Sequence, residues 1–138
     1  MSTATVPVTT TTSSALRVGA SVAVISAVVN VAIWSAASLG GVAFDVTPGE
    51  TTQHVGSPMV LVMTVLPLVL GTAALAVTRR SAKAWRVLAW VGLALGVLTV
   101  GMPFSATASD GTHFALAAMH LVVGATWFAV VSRALRED

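Results

Sequence analysis

The sequence predicts an all-α integral membrane protein, an up-down bundle of four transmembrane helices. Three observations predict it. First, the 138 residues are 56% hydrophobic and only 9% charged, whereas a water-soluble domain carries about 25% charged residues. Second, four runs contain no Asp, Glu, Lys or Arg: Val18–Leu39, Met59–Thr78, Val87–Phe104 and Phe114–Ser132. A helix rises 1.5 Å per residue, so about 20 residues cross the hydrocarbon core; barrel strands would instead show alternating segments of about ten residues. Third, the charges between the runs are sorted by sign.

The elements follow in chain order. The opening "MSTATVPVTTTTSSA" is polar and Thr/Ser-rich, too poor in apolar surface to order itself, so residues 1–15 are expected to form a flexible cytoplasmic tail. It lacks the basic start of a signal peptide. The transmembrane domain is expected over residues 16–138, with helices near 17–40, 57–79, 84–104 and 112–135. Short connections make neighbouring helices antiparallel. Helix two carries Pro67, which removes a backbone donor and predicts a bend, with Thr64 placed to help satisfy the freed carbonyl near Met63. Helix three carries Gly92 and Gly96 in "GLALG", a GxxxG step that admits close helix packing inside the bundle.

The basic residues Arg17, Arg79, Arg80, Lys83, Arg86, Arg133 and Arg136 lie before helix one, between helices two and three, and after helix four. The other two loops hold only Asp45, Glu50 and Asp110. The positive-inside rule places both termini in the cytoplasm of a plasma-membrane protein and the acidic loops outside. The basic residues thus act as membrane anchors facing the lipid bilayer, and no nucleic-acid partner is inferred from them. The chain has no cysteine, which excludes disulfides, thiolate catalysis and cysteine metal sites.

The polar residues near the outer face carry the functional question. In "FDVTPGETTQH", Pro48 and Gly49 signal a turn between Asp45, Glu50 and His54. Helix one places Ser26, Asn30 and Trp34 on one face, and helix four places His113, His120 and Trp127 on one face. Asp110 precedes helix four as a candidate N-cap. Trp34, Phe44, Phe104 and Phe114 gather at the same interface, where an aromatic belt also forms. Each residue has a structural role open to it: solvated loop charge, cap, belt or interhelical hydrogen bond. Together they resemble the mouth of a half-buried site.

Two chemistries are open to such a site. A carboxyl in an apolar pocket stays protonated and can protonate an alkene or epoxide, aromatic faces stabilise the resulting cation, and a second carboxylate or histidine takes the last proton. Asp45, Glu50 and Asp110 are the candidate acids and bases. Asn30, Trp34, Phe44, Phe104, His113, Phe114 and His120 are the candidate substrate-binding residues. Alternatively, Glu50, His54, Asp110 and His113 offer two carboxylates and two imidazoles to a metal. Phosphate-loop, zinc-protease and serine-hydrolase motifs are absent, as are the aspartate-rich magnesium motifs of prenyl transferases.

The stretches "VVNVAIWSAASLGGVAF" and "FALAAMHLVVGATWFAVVSRAL" resemble the first and last helices of a family of small four-helix actinobacterial membrane proteins, most without assigned function. The likeness covers most of Arg17–Leu135. In size and architecture the chain is also similar to the small membrane-integral terpene cyclases of bacterial indolosesquiterpene and drimane-type meroterpenoid pathways. That resemblance implies cyclisation of a lipophilic farnesyl-type substrate by acid catalysis, without metal or cofactor, and it carries over no catalytic motif. The competing expectation is a non-enzymatic membrane protein that serves as an accessory, lipid-binding or metal-binding subunit.

Overall fold

The computed structural model describes residues 12–137. Four helices dominate: α1 (Thr12–Leu39), α2 (Ser57–Val77), α3 (Ala82–Leu98) and α4 (Asp110–Glu137). A 3-10 segment, Thr99–Ser105, extends α3. All four spans are long and apolar enough to cross a bilayer, and most large apolar side chains on their surfaces point outward, among them Val24, Val28, Leu66, Leu70, Trp90 and Leu95. In water such a surface would aggregate; in hydrocarbon it is the solvated one. The protein is a multi-pass membrane protein.

Helix boundaries differ from the sequence reading at the ends. The helix of α1 starts at Thr12, within the stretch expected to be a tail, because Ala15 is fully buried and joins the core. The rest of the expected tail, residues 1–11, lies outside the described residues. Pro67 sits inside α2, which runs unbroken through it with the proline ring exposed.

The helices are arranged around α1 and α4. Helix α1 packs on α2 and on α4, and α4 packs on α3, while α2 and α3 scarcely touch. Trp127 of α4 bridges that seam. Its indole lies against Gly71 of α2 and Gly92 of α3, where any Cβ would collide with the ring, and its Nε1–H donates to the Leu88 carbonyl at 2.8 Å. One turn further along α3, Gly96 lies against the Gly124 backbone, so close that a Cβ there would stand 2.6 Å from the Gly124 Cα. The GxxxG step therefore serves packing within the chain, as expected. Small residues let backbones approach where lipid supplies no hydrophobic force between helices.

The core divides along the bundle axis. One cluster holds Ala15, Val18, Val22, Leu68, Leu75, Trp85, Ala89, Trp127 and Val131, near the termini. The other holds Phe44, Val60, Ala115 and Met119, near the opposite end. Ser26, Asn30 and Thr64 are buried between them. Asn30 Nδ2 donates to Thr64 Oγ1 at 2.9 Å, tying α1 to α2.

One element departs from the all-helical expectation. The loop after α1 forms a hairpin of two-residue strands, β1 (Asp45–Val46) and β2 (Gln53–His54), paired antiparallel with Asp45 opposite His54. Gly49 takes a φ of +105° in the turn between them, so the Pro48–Gly49 turn signal is realised as a hairpin.

Replacing Gly96 with valine should force α3 away from α4, because the obstacle is backbone. Thermal unfolding in detergent should show a loss of about 1–3 kcal/mol, whereas Gly101→Ala, with open space around it, should be near neutral.

Candidate functional site

Both loops that carry the predicted site residues meet at one end of the bundle. The hairpin is bound to the α3–α4 connection through a backbone pair: Thr47 N–H donates to Thr107 O at 2.9 Å and Thr107 N–H to Thr47 O at 3.2 Å. Across the hairpin turn, the Thr47 and Thr52 hydroxyls are 2.9 Å apart and share a hydrogen bond. Below it, Trp34 Nε1–H donates to Val55 O at 2.9 Å, and Val55 N–H donates to Phe44 O at 2.9 Å. The two loops thus form one polar cap over the helix ends.

The anchor of this cap is Phe44. It is 1% exposed, packed with Val60, Ala115 and Met119, and its ring lies 6.1 Å from that of Trp34. Its φ is +55°, a left-handed conformation uncommon for a bulky residue. Burial of the ring offsets that strain and turns the chain from α1 into the hairpin. The aromatic-belt reading is therefore corrected for Phe44, which is core.

The three candidate acids are all exposed. Asp45 accepts a hydrogen bond from His54 Nδ1–H at 2.9 Å, with both side chains more than half exposed. Glu50 is exposed beside the hairpin turn. Asp110 is exposed in the first turn of α4. The cap of α4 is Ser109 rather than Asp110: its Oγ accepts from Thr112 N–H at 3.2 Å and pairs with the Thr112 hydroxyl at 2.9 Å. Asp110 instead places a negative charge at the positive end of the helix, a favourable position.

The binding candidates separate into three groups. Trp34 and Phe44 lie under the hairpin. Phe104, His113 and Phe114 form a second group on the α4 side, with Phe104 centred 5.1 Å from the His113 ring and 5.8 Å from that of Phe114. Phe104 and Phe114 are largely exposed, and His113 Nε2–H donates to Ala106 O at 3.0 Å. Asn30 and His120 form the third group but do not bond to each other: Asn30 binds Thr64, and His120 Nδ1–H donates to Leu116 O of its own helix at 2.7 Å. Asn30 Oδ1 and Ser26 Oγ are buried with no hydrogen-bond partner among the described residues.

The metal alternative needs Glu50, His54, Asp110 and His113 to converge. Among the described residues no three His, Asp or Glu side chains do so; His54 faces Asp45 across the hairpin, and His113 is turned to Ala106. Sequence reasoning missed the Thr47–Thr107 bridge, the Val55 carbonyl and the Ser109 cap. Only the last had a signal, a serine three residues before Thr112 at the start of an apolar run.

An exposed ion pair is worth about 0–1 kcal/mol, and a buried aromatic truncated to alanine costs about 3–5 kcal/mol. Phe44→Ala should therefore loosen the cap, seen as rapid proteolysis in the hairpin and a lower melting temperature. Asp45→Asn should change neither appreciably.

Comparison with known proteins gives a family and no activity. No curated protein and no solved structure matches the chain. A family of unknown function, DUF6069, matches residues 10–137, the whole of the described bundle with its cap, and the chain belongs to that family.

Proposed function

We propose that this protein is a non-catalytic plasma-membrane protein with both termini in the cytoplasm, and that the polar cap is its extracellular recognition face. The observation that carries this reading is the backbone bridge between Thr47 and Thr107. It fixes two loops that are far apart in sequence into one surface displaying Asp45, Glu50, His54 and Asp110 to water. Such an arrangement presents polar groups to an aqueous partner, as an accessory subunit does. The orientation follows from the seven basic residues at the other end of the bundle and the positive-inside rule.

The terpene cyclase expectation asks for different geometry. Proton donation to an alkene at neutral pH needs a carboxyl held in apolar surroundings. Here the acids stand in the exposed cap, and Phe44, packed on Val60, Ala115 and Met119, fills the space beneath the hairpin where a cyclising chain would lie.

Two measurements test the proposal. The chain has no native cysteine, so single cysteines report topology cleanly. Glu50→Cys should react with a membrane-impermeant maleimide in intact cells, and Arg136→Cys only after permeabilisation; the reverse pattern would invert the orientation. Membranes holding the wild-type chain should leave farnesylated indole substrates and their terminal epoxides unchanged by mass spectrometry and NMR. A cyclised isomer of unchanged mass that disappears in Asp45→Asn, Glu50→Gln or Asp110→Asn would overturn the non-catalytic reading and establish the cyclase.

A further inference from the structure

At the basic end, α3 presents a stripe with a composition unlike the rest of the surface. Lys83, Arg86, Val87, Trp90, Val91 and Ala94 line one open groove along the helix. The spacing runs three or four residues at a time, so these side chains share a face. That face points away from the bundle: all six are exposed, while Trp85 on the opposite side is buried.

Three features of the groove want a partner. First, neither Lys83 nor Arg86 pairs with a carboxylate among the described residues. Second, Lys83 stands in the first turn of α3, where the helix macrodipole is positive and basic side chains are disfavoured, and Arg86 follows one turn on; no acid occupies that first turn. Third, the indole N–H of Trp90 is unsatisfied. Trp34, Trp85 and Trp127 donate theirs to the carbonyls of Val55, Leu75 and Leu88, but Trp90 has no protein acceptor among the described residues. Its ring is held in place by Phe128, 4.6 Å away between centroids.

The groove between α1 and α4 differs in having a paired cation and no tryptophan in its lining. It is lined by Arg17, Ser21, Arg133 and Glu137 between α1 and α4, and Arg133 is already paired with Glu137 at 2.7 Å. Arg133 also lies towards the negative end of its helix, where cations are favoured, while Arg17 of α1 has no carboxylate partner among the described residues.

We infer that the α3 groove binds one anionic glycerophospholipid, its phosphate on Lys83 and Arg86, its ester region at the Trp90 indole, and an acyl chain along Val87, Val91 and Ala94. The dimensions fit a lipid of a single leaflet. Lys83 to Ala94 spans about 16 Å of helix axis, roughly half of a hydrocarbon core of about 30 Å. The phosphate offsets both the unpaired cations and the helix dipole, and the apolar stripe needs no partner other than the chain. This site lies at the end opposite the cap and does not depend on what the cap recognises.

The full-length protein reconstituted in phosphatidylcholine vesicles supplies the test. Brominated phosphatidylglycerol and brominated phosphatidylcholine are compared as quenchers of tryptophan fluorescence, and Trp90→Phe identifies the share due to Trp90. Two basic side chains at the membrane surface, each worth about 1 kcal/mol, predict roughly a thirtyfold preference for the anionic lipid at low salt. Lys83→Gln/Arg86→Gln should abolish that preference, and Arg133→Gln/Arg136→Gln, which removes equal charge elsewhere, should leave it intact. Equal quenching of Trp90 by both lipids would overturn the proposal. So would an anionic preference lost equally in both double variants, since that reports diffuse charge rather than a site.

Discussion

The arrangement of this bundle depends on Trp127. In lipid, helices gain nothing by hiding apolar surface from one another, so association rests on close packing and a few polar contacts. Helices α2 and α3 scarcely meet directly, and one side chain of α4 reaches both. The indole of Trp127 fits against Gly71 and Gly92, and its N–H is anchored on the Leu88 carbonyl. The glycines are required there because any side chain would occupy the volume of the ring. Next to this contact, Gly96 and Gly124 bring the α3 and α4 backbones together, and on the far side Gly19 admits Thr72 between α1 and α2. The position of the cap follows from this packing, since the hairpin leaves α1, the 106–109 connection leaves α3, and Thr47 meets Thr107 only when both helices are seated around α4.

Much of this was legible in the sequence, and the reasons are physical. A span must be long and uncharged whatever its neighbours, so the four helices announce themselves in composition. Gly92 and Gly96 were readable because spacing of four puts both on one face. Contacts between distant positions were not readable. Trp127 looks like any aromatic in an apolar run until Gly71 and Gly92 are placed beside it. Asn30 is an evident polar residue in a span, but its partner Thr64 is one of several hydroxyls at similar depth. The hairpin was half legible: Pro48 and Gly49 marked its turn, whereas two-residue strands are too short to show an alternating pattern. Phe44 was assigned to the interface because it sits at a helix end, and the left-handed backbone that turns it into the core leaves no trace in composition.

The two ends of the molecule are chemically distinct. At one, acids and histidines stand on a cap built from backbone hydrogen bonds and pinned by Phe44, and the exposed Asp45–His54 hydrogen bond contributes little to stability because water competes for it. At the other, Lys83 and Arg86, with no carboxylate partner among the described residues, border the apolar flank of α3 beside Trp90. The packed core separates them, and the buried polar level of Ser26, Asn30 and Thr64 crosses it.

The most direct test of this account is the unfolding free energy of Trp127→Ala in a bilayer. If Trp127 joins α2 and α3 to α4, its loss should cost about 3 kcal/mol or more, the range for truncating a buried tryptophan. A change below about 1 kcal/mol, the size expected of a lipid-facing position, would contradict the arrangement of helices described here.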